Sequence, residues 1–213
     1  MEWATDVVAF IRERPDRFLD LVWAHLRLSL LALGLATLLY LPLGVVLSRL
    51  TRAGATIVGV VSSVRVIPSL ALVFLFYPWL GFGTPPALVA LVVLAAPALL
   101  VNTHAGLLNV DAATLEAARG LGMTRAQVFL RVQLPLALPV IIAGLRLAAV
   151  EILASATLAS FVGAQTLGQY ILTGISLLDT TYLLAGGIPI VGLVLMAELL
   201  FSGIERLLSP HVS

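Results

Sequence analysis

Residues 28–47 form a run of twenty without a single charge, and no other feature restricts the fold of this chain so tightly. At about 1.5 Å per residue, a helix of that length covers about 30 Å, the thickness of bilayer hydrocarbon. The rest of the chain has the same character. It is 61% hydrophobic and 11% charged, with a mean hydropathy of +1.11, and 213 residues cannot hide that much apolar surface in a soluble core. The expected fold class is an all-α integral membrane protein. Further apolar segments at residues 57–77, 87–108, 138–162 and 182–204 bring the expected spans to five. Arg65 falls inside the second, where Pro68 predicts a kink. Pro97, Asn102 and His104 fall in the third, and Gly186, Gly187 and Pro189 predict a loosened start to the fifth. Residues 163–181 read as a polar, glycine-containing connection.

Residues 1–24 mix apolar side chains (Val7, Val8, Phe10, Ile11) with charged ones (Asp6, Arg12, Glu13, Arg14), the pattern of a short helix lying at the membrane interface. A cleavable secretory signal does not fit, because charges continue to Asp20 and the next apolar run is long, so the first span is expected to stay attached. Arginine in short loops sets orientation. Arg49, Arg52, Arg119, Arg125, Arg131 and Arg206 mark one side as cytoplasmic, whereas residues 78–86 and 163–181 carry no arginine. The amino terminus and its interfacial helix are therefore expected outside, and the carboxyl terminus, with a short tail at 209–213, inside. Arg12, Arg14 and Arg17 run against this, but Glu2, Asp6, Glu13, Asp16 and Asp20 accompany them.

Several chemistries have no foothold. The chain has no cysteine, which removes disulfides, thiolate catalysis and cysteine metal sites. A net charge of +1 does not suit a nucleic-acid surface, which needs clustered excess cation. His25, His104 and His211 lie in separate parts of the chain, and no Gly-x-Ser-x-Gly, His-Glu-x-x-His or phosphate-binding glycine loop occurs.

The one long charged interruption, residues 109–136, specifies two short helices. Asp111 is positioned to cap the first and Gly122 to end it, while Thr124 with Gln127 makes a T-x-x-Q capping box for the second. Leu134 and Pro135 are expected to stop that second helix. Ala117 and Ala118 would admit a partner's backbone closely, and Glu116, Arg119, Arg125 and Arg131 offer charge to a soluble surface. This is a docking face without a catalytic group.

Glu116-Ala117-Ala118, then Gly122 after three residues, then Val132-Gln133-Leu134-Pro135 after nine more, resembles the E-A-A-x3-G-x9-[I/V]-x-L-P cytoplasmic loop of binding-protein-dependent ABC importer permeases. IPSLAL at 67–72, the Asn-Thr-x-x-Gly-Leu-x-Asn-Val-Asp pattern at 102–111, QLPLALPVIIAGLR at 133–146 and SATLASFVGA at 155–164 are similar to the osmoprotectant branch, which carries glycine betaine, carnitine and choline. The resemblance implies a type I importer permease domain over residues 25–208. Its loop would carry a coupling helix that docks an ATPase through Glu116, Ala117, Ala118, Arg119, Gly122, Met123, Thr124 and Arg125. It also implies a non-catalytic subunit that binds no cofactor, with ATP and Mg held by a partner ATPase dimer. A second permease chain, identical or paralogous, would complete the path. A fused receptor domain is not expected, and the resemblance implies a separate extracytoplasmic substrate-binding protein. Uptake of an amino acid, ergothioneine or a phosphonate stands as the alternative, and a secondary carrier or channel using Glu151 or Glu198 as the rival from another class. Where similar proteins read G-A-G-G-L-G, this chain has Gly163-Ala164-Gln165-Thr166-Leu167-Gly168, so two glycines are replaced near the receptor-facing mouth.

Ionisable residues within spans usually face the bundle interior or water. Arg146 and Glu198 lie near the cytoplasmic ends and are expected to snorkel to the interface. Glu151 and Ser155 share a helix face, where Asn102 from the third span is a candidate to join them in lining a path; pairing of Glu151 with an arginine is the competing expectation. Phe161 and Tyr170 are candidates for stacking on a quaternary ammonium, or else interfacial anchors.

Overall fold

The computed structural model describes residues 2–208, and all of its regular elements are helices. The tail at 209–213, with His211, lies outside the described residues. Helix α1 (Glu2–Glu13) ends at Arg14, whose φ of −139° and ψ of 58° are not helical. A residue before proline is pushed out of the α conformation, and Pro15 then opens α2 (Pro15–Ser48) at a position where its missing N–H is no loss. The expected interfacial helix over 1–24 is therefore shorter than the sequence suggested. Residues 15–24 are the first turns of a 34-residue helix that also contains the first apolar run.

The second expected span is not one kinked helix. It consists of α3 (Thr51–Ser62), a 3₁₀ turn (Ser63–Val66) and α4 (Ser69–Leu80), and the two halves are bent by 98°. Ile67 (φ −76°, ψ 123°) and Pro68 (φ −56°, ψ 132°) are both extended, which breaks the hydrogen-bond ladder outright. Arg65 sits exposed at this corner.

Among the described residues, four helical stretches are long and apolar enough to cross a membrane: α2, α5 (Thr84–Leu108), the composite Arg125–Val162 and α10 (Thr180–Leu208). A fifth crossing exists if the bent pair counts as one span. The composite contains α7 (Arg125–Val128), a π-helical turn (Phe129–Gln133), α8 (Leu134–Ser155) and a 3₁₀ turn (Ala156–Val162). Leu134 and Pro135 thus do not stop the helix. Pro135 stands in the first turn of α8, directly after a widened turn in which the Leu134 N–H reaches the Phe129 carbonyl five residues back. A π turn removes the i−4 register that a proline ring would otherwise obstruct. Helix α6 (Ala112–Gly120) forms the other arm of the hairpin.

The stretch at 163–181, expected as an irregular connection, contains α9 (Gly168–Leu177). Leu167 and Tyr170 pack there with Leu21 of α2 and Ile190 of α10. Gly186 does not loosen α10; it admits α9, since a Cβ at Gly186 would stand 2.9 Å from the Leu167 carbonyl.

Helix α5 is the axis of the bundle, with α2 on one side and α8 on the other. Ala32 and Ala36 of α2, Ala95 and Leu99 of α5, and Ala148 and Ile152 of α8 form the core. In lipid no hydrophobic force drives helices together, so contact relies on small residues and close backbones. A Cβ on Gly44 of α2 would meet Thr103 of α5 at 2.8 Å, and one on Gly144 of α8 would meet Asn102 at 2.6 Å. Because α5 has 25 residues and leads directly into the hairpin, its first turn and the hairpin lie at opposite ends of the bundle, about 37 Å apart.

Candidate functional site

The polar hairpin is built by its own caps. Asp111 accepts from the Thr114 backbone N–H at 3.0 Å and from the Thr114 hydroxyl at 3.0 Å, closing the first turn of α6. Those bonds, the backbone one foremost, hold the Asp111 carboxyl below the ordinary carboxylate range. At the other end of α6, Gly122 N–H donates to Arg119 O and Met123 N–H donates to Ala118 O, with Gly122 at φ +82°. This pair of bonds is the Schellman closure, and its positive φ is what glycine supplies. Thr124 and Gln127 then cap α7 reciprocally: the Thr124 N–H donates to Gln127 Oε1 at 2.8 Å, and the Gln127 N–H to Thr124 Oγ1 at 3.4 Å.

The hairpin is tied to the bundle as well as to itself. Gln133 Nε2 donates to the Leu107 carbonyl at the end of α5, 3.0 Å away. The exit of the hairpin and the central helix are thereby joined, so a push on one reaches the other.

The structure separates residues that the sequence grouped together. Glu116, Ala117, Arg119, Thr124 and Arg125 are exposed, Met123 is half-buried, and Ala118 is buried within the hairpin itself. Ala117 alone of the two alanines is free to receive a partner. Sequence reasoning missed Leu121, which stands 84% exposed at the hairpin tip. An apolar residue flanked by Gly120 and Gly122 in an otherwise polar turn was the available signal. It also missed Arg49, whose guanidinium lies 5.1 Å from the Phe129 ring centroid and which lines, with Arg119 and Arg125, a cleft of about 630 Å³ beside the hairpin.

The candidates for a path are less concentrated. Asn102 donates to the Ala98 carbonyl of its own helix at 2.7 Å and packs against Gly144. Glu151 lies seven residues beyond Gly144 on α8, two turns or about 10 Å away, so Asn102 and Glu151 are not brought together. Glu151 and Ser155 do share a face of α8, both half-buried, and Arg65 lies within electrostatic reach of Glu151 without a close ion pair. Phe161 is partly exposed in the 3₁₀ turn after α8. Tyr170 offers no face for stacking: it is buried, with Phe10 at 5.5 Å and Tyr182 at 6.2 Å between ring centroids.

Arg146 and Glu198 do not snorkel independently. Arg146 Nη1 reaches from α8 to Glu205 at 3.1 Å and to Glu198 at 3.6 Å on α10. The two carboxylates are seven residues apart on one face of α10, which sequence spacing displayed but which acquires a partner only when the helices pack. At the far end of the bundle, Thr166 is fully buried, hydrogen-bonded to Ser160 at 2.7 Å, and accepts from the Gly168 N–H at 3.2 Å. Thr166 thereby pins the loop, while Gln165 beside it stays exposed. His104 is buried in α5, and no group of three or more potential metal ligands occurs among the described residues.

Residues 22–213 match the family model described as "Binding-protein-dependent transport system inner membrane component". The choline transport system permease protein of Bacillus subtilis is 38% identical over 204 residues, covering 96% of this chain and 94% of that protein. The carnitine transport permease protein of Listeria monocytogenes is 39% identical over 204 residues with the same coverage, 96% and 94%. Among solved structures, an inward-facing MetNI methionine ABC transporter superposes with a TM-score of 0.78 at 24% identity, over 91% of this chain and 96% of that one. A chain of an amino acid ABC transporter solved with histidines gives 0.69 at 21% identity, over 96% and 98%. These two similarities concern the fold. The match along nearly the whole chain, on a helical bundle that presents the capped hairpin, identifies this protein as a multi-pass inner-membrane component of a binding-protein-dependent transport system, with the fold of type I ABC importer permeases.

Proposed function

We infer that this chain is the path-forming permease subunit of an ATP-driven importer for quaternary-ammonium osmoprotectants such as choline, carnitine and glycine betaine. The observation that carries the importer reading is the hairpin at 112–133, closed by three sets of caps and fastened through Gln133 to the foot of α5. A docking element must be stiff, because a flexible one would absorb the movement of its partner instead of passing it on. In this reading a dimer of ATPase subunits binds and hydrolyses Mg-ATP, seats Ala117, Arg119, Arg125 and Leu121 in its surface, and transmits its closure through α5 and the α7–α8 composite. This chain holds no nucleotide and catalyses nothing. A second permease chain completes the path, a separate extracytoplasmic receptor delivers the solute, and the hairpin and carboxyl terminus face the cytoplasm. The names of the relatives at 38% and 39% identity support the solute class.

The test is a binding screen on the cognate receptor, followed by uptake into vesicles containing the complete complex. Choline, carnitine or glycine betaine is expected to bind the receptor and accumulate only with ATP inside. Preference for an amino acid or a phosphonate, with no quaternary ammonium bound, overturns the solute class. Uptake by this chain without an ATPase overturns the importer reading.

A further inference from the structure

At the end of the bundle opposite the hairpin, Asp20, Trp23 and Arg27 of α2 line a cleft of about 720 Å³, closed on its other side by Thr84 at the start of α5 and by Gly163 and Gln165 in the loop after the 3₁₀ turn. The spacing of 20, 23 and 27 sets the three side chains on one face of the helix. Asp20 and Arg27 stand about 10 Å apart along the axis, and Trp23 lies between them. Trp23 is 67% exposed. Among the described residues no ring packs on it in an aromatic pair, and neither the Asp20 nor the Arg27 side chain has a hydrogen bond or ion pair. An anion and a cation two turns apart on one helix face, both unpaired and flanking an open indole, suit a small molecule that carries both charges.

We propose that this cleft is a subsite for zwitterionic quaternary-ammonium solutes. The methylated ammonium lies on the Trp23 face, where cation–π attraction acts and Asp20 adds opposite charge. The carboxylate meets the Arg27 guanidinium, a charge-assisted bond that a fork of N–H groups makes well, with the exposed Gln165 amide as a second donor. The proposal rests on the reading above in one respect: with the hairpin in the cytoplasm, the cleft opens outside, where solute leaves the receptor. It goes further in assigning the two ends of the solute to different residues. Choline, which has the ammonium but no carboxylate, should not depend on Arg27.

The experiment is equilibrium binding of radiolabelled glycine betaine and choline to the permease–ATPase complex in nanodiscs, without receptor. Arg27→Gln is expected to weaken glycine betaine by about tenfold or more while leaving choline within about twofold. Trp23→Ala and Asp20→Asn should weaken both. The positions are exposed, so melting temperatures should match wild type; if Arg27→Gln fails this control, Arg27→Lys takes its place and should weaken glycine betaine by a smaller factor than Arg27→Gln, because the charge stays and the fork is lost, with choline again within about twofold. Arg27→Gln affecting both solutes equally, or neither, overturns the subsite, as does the absence of binding to the wild-type complex. Receptor binding to the same nanodiscs is measured separately, and loss of receptor affinity in the variants with solute binding unchanged also overturns the subsite and makes the cleft a receptor-docking surface. If the receptor binds no quaternary ammonium, the solute class in the proposed function fails; if glycine betaine is imported and Arg27→Gln binds it normally, the subsite alone fails.

Discussion

Gly122 is the residue on which the hairpin turns. Its φ of +82° is open to glycine at no steric cost, and no neighbour stands within 4 Å of where a Cβ would go, so a substitution there strains the backbone without creating a clash. Gly122→Val should cost about 1–3 kcal/mol locally and re-aim α7. Glu116→Lys leaves the backbone alone and reverses one exposed charge. Both variants should insert at wild-type abundance and lose uptake by about tenfold or more. Glu116→Lys should fail in pull-down of the ATPase, and Gly122→Val in ATP-coupled turnover by a complex that still assembles. Wild-type uptake by both at matched abundance would reduce the hairpin to a connector. Asp111 makes a prediction about pH. Its carboxyl is lowered in the folded protein, so the stability it contributes is complete above the pKa of the unfolded carboxyl and is lost as pH falls through the lower folded value. Amide exchange at Thr114, corrected for its intrinsic rate, should show constant protection from neutral pH down to the ordinary carboxylate range and then a decline. Asp111→Asn should remove that pH dependence, and an unchanged profile in the variant would assign the decline to another group.

Among the described residues, α8 and α10 are the helices joined by ion pairs. Arg146 serves two carboxylates, and its Nε is buried without a partner, so the cluster depends on the Nη1 bonds. Removing the guanidinium leaves Glu198 and Glu205 facing each other from one side of α10, with like charges now uncompensated. Arg146→Ala is expected to lower stability by about 1–3 kcal/mol, less than for a fully buried pair because all three side chains retain some exposure. Glu205→Gln should cost more than Glu198→Gln, since its bond is shorter, 3.1 Å against 3.6 Å. Thermal unfolding of the purified protein in nanodiscs measures the order. Equal losses for the two glutamines would mean that the cluster contributes only through its net charge.

At the scale of the whole molecule, the arrangement with both the hairpin and the carboxyl terminus in the cytoplasm is accessible to labelling because the native chain has no cysteine. Single cysteines report their side without background. Ala126→Cys and Leu50→Cys, both exposed beside the hairpin end of the bundle, should react with an impermeant thiol reagent only after the membrane is opened. Gln165→Cys should react in intact cells. Thr166→Cys, one residue on, should react on neither side, because Thr166 is fully buried and hydrogen-bonded. Labelling in the reverse pattern would invert the topology and, with it, the docking role of the hairpin. Reaction at Thr166→Cys equal to that at Gln165→Cys would show that the loop is not pinned.

The sequence by itself determined what depends on neighbours along the chain. Twenty uncharged residues at 28–47 require a hydrocarbon setting, and Asp111, Gly122 and the Thr124–Gln127 box specify their caps because each bond spans only a few residues. The family, too, was legible, since the hairpin's spaced motif is local. Tertiary structure decided everything that requires knowing which helix faces which. Pro68 reads as a kink and Pro135 as a stop, yet the first lies at a 98° break and the second follows a π turn in an unbroken 38-residue stretch, because packing of α8 on α5 keeps that helix in register while the corner at Arg65 is exposed. Asn102 and Glu151 were plausible neighbours on adjacent spans until Gly144 fixed where α5 meets α8. Arg146 acquired Glu198 and Glu205, Tyr170 disappeared among Phe10 and Tyr182, and Thr166 found Ser160. Side chains separated by a span meet only when a small residue lets two backbones approach, and where along the helices that approach occurs is a property of the packed bundle rather than of any one segment.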